Sequence, residues 1–136
     1  MREIKFIAVH CTATTQTTTV ESIKRYWRED LKWKNPGYHY LIKPGGEIIE
    51  LFPESKVSNG VAGYNSYTVN VCYIGGVNAQ GRPVDNRTKA QKEAMSFLLK
   101  ELKKRYPQAV IQGHRDFPGV KKACPCFNAK QEYKNL

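Results

Sequence analysis

Acidic residues are scarce in this chain: 12 Asp and Glu stand against 22 Lys and Arg, a formal net charge of +10 over 136 residues. The imbalance points to an anionic partner, whether nucleic acid, anionic lipid or a bacterial wall polymer. Long apolar runs are absent, which excludes a membrane-spanning helix and, with it, membrane insertion. The opening Met-Arg-Glu-Ile-Lys-Phe-Ile-Ala-Val-His has no extended apolar stretch and no small-residue cleavage site, so it does not read as a secretory signal. Repeats, low-complexity tracts and linkers are missing too, leaving a single domain over residues 1–136. What is present is core-forming material. Hydrophobic residues make up 40% of the chain, with eight Tyr, five Phe and two Trp, more than a disordered chain carries.

Residues 3–9 are rich in β-branched and aromatic side chains and read as a buried strand. Thr18 with Glu21 forms a candidate capping box, and Val20, Ile23, Trp27 and Leu31 recur at helical spacing, which predicts a helix near 19–31. Residues 38–43 and 47–52 around Pro44-Gly45-Gly46 read as a hairpin, 53–67 as loop, and 69–74 as a further strand. Thr88 and Gln91 offer a second capping box. Ala90, Ala94, Leu98 and Leu102 mark one face of a long helix that ends before Pro107. A short strand at 109–112 follows, then loop and a terminal turn. The order βαβββαβ predicts an α/β fold, one mixed sheet flanked by helices.

Cysteine and histidine are also few, and their placement is informative. Cys72 falls inside a strand pattern, Cys11 directly after one, and Cys124 and Cys126 are two apart, an arrangement that suits reduced thiols made inside a cell better than two disulfides. The three histidines are His10, His39 and His114. His10 follows the first strand, and His114 follows the strand at 109–112. If those strands are parallel neighbours, both imidazoles reach the C-terminal edge of the sheet, the usual place for ligands in α/β folds. The loop 115–123 is long enough to return Cys124 to the same place. Two imidazoles and a thiolate supply three of zinc's four tetrahedral positions and leave one for water. A closed structural site would need a fourth donor, for which Cys126, Cys11 and Asp116 are available. By spacing alone, either histidine also reads as a hydrogen-bonded structural residue, and Cys-Pro-Cys as a turn without metal. Tyr38 and His39 are neighbours on a strand and face opposite sides, and the residues do not say which side is the site.

Five segments, taken together, carry a resemblance. His10-Cys11-Thr12-Ala13-Thr14 is similar to the His-x-Thr/Ser-Ala-Thr opening of the zinc-dependent N-acetylmuramoyl-L-alanine amidases, the type 2 amidase family that shares its fold with peptidoglycan recognition proteins and short phage endolysins. Gly37-Tyr38-His39-Tyr40-Leu41-Ile42 with Gly46 resembles that family's hairpin. Asn65 to Cys72 with Gly75-Gly76 resembles its Asn-x-x-Ser-Ile-Gly-Ile-Cys…Gly-Gly strand. Gly113-His114-Arg115-Asp116 and Lys122-Ala123-Cys124-Pro125 resemble its Gly-His-Arg-Asp and Lys-x-Cys-Pro elements. The matches keep the family order from residue 4 to about 128.

The resemblance implies zinc held by His10, His114 and Cys124, with Tyr38 and Lys122 assisting hydrolysis of the amide between N-acetylmuramic acid and L-alanine in peptidoglycan or soluble muropeptides. It also implies a bacteriolytic monomer that needs no nucleic acid. Without a secretory signal, such a protein is made in the cytoplasm and acts on the wall after release, or on recycled muropeptides in the cytosol. Homologues that only bind the wall commonly lack the ligand cysteine, so Cys124 favours an enzyme over a non-catalytic binding module. A peptidase using Cys124 as nucleophile and His114 as base is a further reading. The chain departs from the pattern at four places. Residues 59–63 lack the His or Trp many members carry, Ile74 stands where many have Glu, Cys126 replaces a frequent Gly, and Asn128 a frequent Asp.

Overall fold

Strand β1 (Phe6–Cys11) runs parallel between two partners that come much later in the chain, and the fold is organised around that placement. The computed structural model describes residues 2–136. With β2 (Tyr40–Ile42), β3 (Ile48–Glu50), β4 (Thr68–Tyr73) and β5 (Val110–Gly113), β1 forms a five-stranded sheet in the order β3-β2-β4-β1-β5. Only β3 is antiparallel, as the second arm of the hairpin with β2. The sheet is therefore mixed, as the element order predicts.

The pleat sorts β1 and β4 cleanly. Ile7, Val9 and Cys11 with Val69, Val71 and Tyr73 face the long helix α2 (Lys89–Arg105) and the short C-terminal helix α3 (Ala129–Glu132). Ala8, His10, Asn70 and Cys72 face the other side, where Ile23 and Trp27 of the segment that begins with α1 (Val20–Arg25) cover part of the sheet. Both central strands are buried along almost their whole length. That is why they read as apolar runs.

Four expectations shift in detail. β1 extends to Cys11, so His10 and Cys11 lie within the strand: apolar periodicity ends at Val9, but pairing with β4 continues through Cys11↔Tyr73. The first helix is capped by Thr19, whose hydroxyl accepts from the Ser22 N–H at 3.1 Å, in place of Thr18. It is α-helical only to Arg25; Tyr26–Asp30 form a wider π turn in which the Leu31 N–H reaches back to the Tyr26 carbonyl at 3.1 Å. The extra residue in that turn swings Leu31 off the buried face, where uninterrupted helical spacing would have kept it. In α2 the buried stripe is Gln91, Met95, Leu98, Leu99 and Leu102, rotated from the small residues Ala90 and Ala94.

Gln91 is fully buried because its amide has work to do. Its Oε1 accepts from the Thr88 N–H, completing the capping box, while Nε2 donates to the carbonyls of Ile42 and Ile74 at 3.1 and 3.0 Å. The helix start is thereby tied to two strand ends. Arg87, one residue before the cap, anchors the C-terminal segment. Its guanidinium stacks 3.4 Å from the Phe127 ring centroid, pairs with Asp85 at 2.9 Å and Glu132 at 3.0 Å, and donates to the Tyr133 hydroxyl.

Removing that guanidinium leaves two acids facing apolar surface, partly open to water. Arg87→Met is expected to cost about 2–3 kcal/mol, with Arg87→Lys rescuing little because the fork geometry is lost. Burial opposes the Asp85 charge, but Arg87 outweighs it and holds the carboxyl below its usual range. That contribution is complete above the ordinary carboxylate pKa of about 4 and disappears as pH falls through the lower folded value. Urea unfolding of wild type and variants between neutral and acidic pH checks both points: the Arg87→Met curve must show the shallower acid loss.

Candidate metal centre

The register between β1 and β5 places Val9 opposite Gly113, so the next residues, His10 and His114, stand side by side with ring centroids 4.8 Å apart. The third donor arrives from the loop after β5. The Arg115 N–H donates to the Cys124 carbonyl at 2.9 Å, closing that loop back on its own start. Gly113 makes the approach feasible, since a Cβ there would lie 2.7 Å from Pro125 Cδ. Cys124 Sγ then accepts from the Cys11 N–H at 3.1 Å. The ligand atoms of His10, His114 and Cys124 all lie within 4.8 Å of one another. Among the described residues, no other three His, Cys, Asp or Glu side chains gather this way.

Burial, reinforced by the neighbouring His114, pushes the His10 imidazole down to about 3, so it is neutral at ordinary pH. His114 is half-buried and shifted down by the same desolvation and by the Lys122 ammonium. Both rings are thus in the form that ligates a cation. The donor set suits zinc: two neutral imidazoles and a sulfur whose negative charge a backbone N–H would meet.

The three residues available as a fourth donor are all directed elsewhere. Cys11 points its thiol to the α2 face of the sheet. Cys126 donates to the Gly76 carbonyl at 3.3 Å and sits 3.9 Å from the Cys11 sulfur. Asp116 accepts from the Gly113 N–H at 2.8 Å and so caps the turn that carries His114. Cys124 and Cys126 diverge because the chain turns between them: the Cys126 N–H returns to the Ala123 carbonyl at 2.7 Å, and Cys126 has φ +73°.

Tyr38 and His39 part in the expected way, and Tyr38 is the one at the site. Its ring centroid is 5.0 Å from that of His10 and 5.4 Å from that of Trp27, with the hydroxyl 3.5 Å from the Cys11 carbonyl. Burial raises its pKa well above 10, which keeps the phenol protonated. His39 is buried, with Nδ1 accepting from the Asn70 N–H and Nε2 donating to the Lys56 carbonyl. Lys122 is exposed on the rim. Around these groups lies a cleft of about 420 Å³, walled by Trp27, Trp33, Asn59 and Gly60. A second recess of about 430 Å³ adjoins it through Thr12, Ala13, Tyr26 and Trp27, so one groove runs from the His10–His114–Cys124 cluster along α1.

One member of the site escaped the sequence reading. Asn70 Oδ1 lies 2.8 Å from His10 Nε2. Its only signal was a polar residue inside an apolar strand, at the position where the resembling motif has Gly.

Comparison with known proteins gives consistent results. Residues 1–127 match the family model described as N-acetylmuramoyl-L-alanine amidase. An endolysin of Klebsiella phage KP32 is 40% identical over 131 residues, covering 96% of this chain and 85% of that protein. An endolysin of Enterobacteria phage K11 is 38% identical over 127 residues, covering 93% and 83%. Among solved structures, the Ph2119 endolysin from the Thermus scotoductus MAT2119 bacteriophage superposes with a TM-score of 0.79 at 25% identity, over 92% of this chain and 79% of that one. Drosophila PGRP-LB shares the fold, with a TM-score of 0.78 at 16% identity over 100% and 82%.

Proposed function

The chain belongs to the N-acetylmuramoyl-L-alanine amidase family and is an amidase acting on peptidoglycan, and we propose that it works with one zinc ion held by His10, His114 and Cys124. The observation that carries this reading is the meeting of those three side chains, from positions up to 114 residues apart in the chain, at one end of an open groove. We read it as a monomer built as one amidase domain. Relatives named as endolysins support action on the wall itself, after synthesis in the cytoplasm and release.

Zinc bound there supplies Lewis acidity and a lowered pKa for the attacking water. The residues of the chain do the rest. The Cys11 N–H steadies the Cys124 sulfur, and neutral His10 needs no proton removed before it ligates. Tyr38 keeps its phenolic proton and donates it as a hydrogen bond to the attacking water or to the carbonyl oxygen of the scissile amide. Lys122, on the rim beside His114, faces the negative charge that develops on that oxygen. The flat indoles of Trp27 and Trp33 narrow the cleft and limit bulk water around the reacting bond.

Digestion of purified sacculi followed by mass spectrometry of the products tests the bond: new muramic-acid ends and free L-Ala N-termini are expected, whereas cleavage inside the peptide would refute the assignment. Elemental analysis should find one zinc per chain. Cys124→Ser is expected to lose most zinc affinity and activity, because a neutral hydroxyl is a far poorer ligand than a thiolate. Cys126→Ser should keep both, at a cost in stability of about 1–2 kcal/mol at most. The opposite pattern would move the ligand to Cys126. Tyr38→Phe and Lys122→Ala should retain zinc yet lose roughly 10²-fold or more in rate. Near-wild-type turnover in both would leave them without a catalytic role.

A further inference from the structure

We infer that Asn70 is a positioning residue that holds His10 in the tautomer whose Nδ1 is free to ligate, through a buried polar relay running from His10 to His39; the inference rests on the zinc reading of the site.

The relay can be followed one proton at a time. The Asn70 backbone N–H, which can only donate, points at His39 Nδ1 at 2.9 Å. His39 therefore carries its proton on Nε2, which gives it to the Lys56 carbonyl at 2.7 Å. The Arg2 guanidinium lies 3.3 Å from that same Nε2 but is engaged by the Glu54 carbonyl at 2.6 Å. Ser58 Oγ sits 3.2 Å from His39 Nδ1 and 2.8 Å from Asn70 Nδ2. Ser58 Oγ accepts from the Asn70 amide nitrogen. The amide thus stands with its nitrogen toward Ser58 and its oxygen toward His10. The Asn70 oxygen, 2.8 Å from His10 Nε2, can only accept, and the His10 proton is therefore on Nε2. Nδ1 is left without a proton and free to ligate. The reverse amide orientation would turn an N–H toward His10 Nε2 and put the His10 proton on Nδ1, blocking it as a ligand.

Burial makes the arrangement strict. His10, His39, Ser58 and Asn70 are each 1% exposed or less, so water cannot substitute for a missing partner. Space is allocated to the amide as well. A Cβ on Gly60 would fall 2.3 Å from Asn70 Cγ and Oδ1, so this amide fills the volume that a side chain at position 60 would occupy. The amide thus lies against residues 59–63, the segment that lacks the His or Trp many members of the family carry there.

The direct test is a long-range ¹H–¹⁵N correlation spectrum of metal-free wild-type protein at neutral pH, in which both His10 and His39 should be protonated on Nε2. A proton on His10 Nδ1 would overturn the inference. Chelator competition on variants is the second arm. Asn70→Leu, close in shape but without an acceptor, should bind zinc about 10–100-fold more weakly. Asn70→Asp, which keeps an acceptor toward Nε2, should restore affinity to within a few-fold of wild type. A folded Asn70→Leu protein with wild-type zinc affinity would refute the positioning role. If the leucine variant does not fold, the wild-type tautomer spectrum still decides. Failure of wild-type protein to bind zinc at all would refute the metal reading separately, because the tautomer is measured without metal.

Discussion

Parallel pairing of β1 with β5 is the constraint on which the site depends. It brings a residue from the tenth position and one from the hundred-and-fourteenth, in the turn just past the end of β5, to stand ring beside ring. The other side of β1 pairs with β4, which sets Asn70 on the same face as His10. One strand thus supplies a candidate ligand, that ligand's hydrogen-bond partner through its neighbour, and, at Cys11, the N–H that meets the Cys124 sulfur. Loops contribute only what they can hold firmly. The 114–124 segment is closed by Arg115 on Cys124, capped by Asp116 and seated by Pro125 on Gly113. Rigid scaffold and tethered loop share the work of placing three donor atoms.

Much of this was legible in the residues. Strand identity followed from apolar runs, the hairpin from Pro44-Gly45-Gly46, and α2 from Thr88 and Gln91. The convergence of His10 with His114 followed from where they fall in the order of elements. What escaped depends on hydrogen bonds that residue patterns do not encode. β1 runs past Val9 because β4 offers partners there, although apolar periodicity has stopped. Helical spacing cannot announce the π turn that turns Leu31 outward. Gln91 and Asn70 are buried because fixed carbonyls or rings satisfy them, and those partners are distant in sequence. The turn that separates Cys124 from Cys126, with Cys126 at φ +73°, is likewise not announced by their spacing.

The charge distribution separates two ranges of electrostatics. A surplus of ten positive charges acts over about a Debye length and draws the protein toward polyanions in a salt-dependent way. Around His10 the opposite condition holds: burial presses both imidazoles toward neutrality, reinforced at His10 by His114 and at His114 by Lys122. Lys122 belongs to both regimes, standing in solvent while its field reaches His114.

The interior position of β1 also has a cost during translation. It is made before either of its neighbours, β4 and β5, and the element that follows it, α1, cannot pair with it. The nascent chain must therefore carry an apolar strand with both edges open until residue 68 and beyond have been made. Such a strand is a template for wrong pairing and a natural client for a chaperone, and the long-range closure it awaits makes for slow folding.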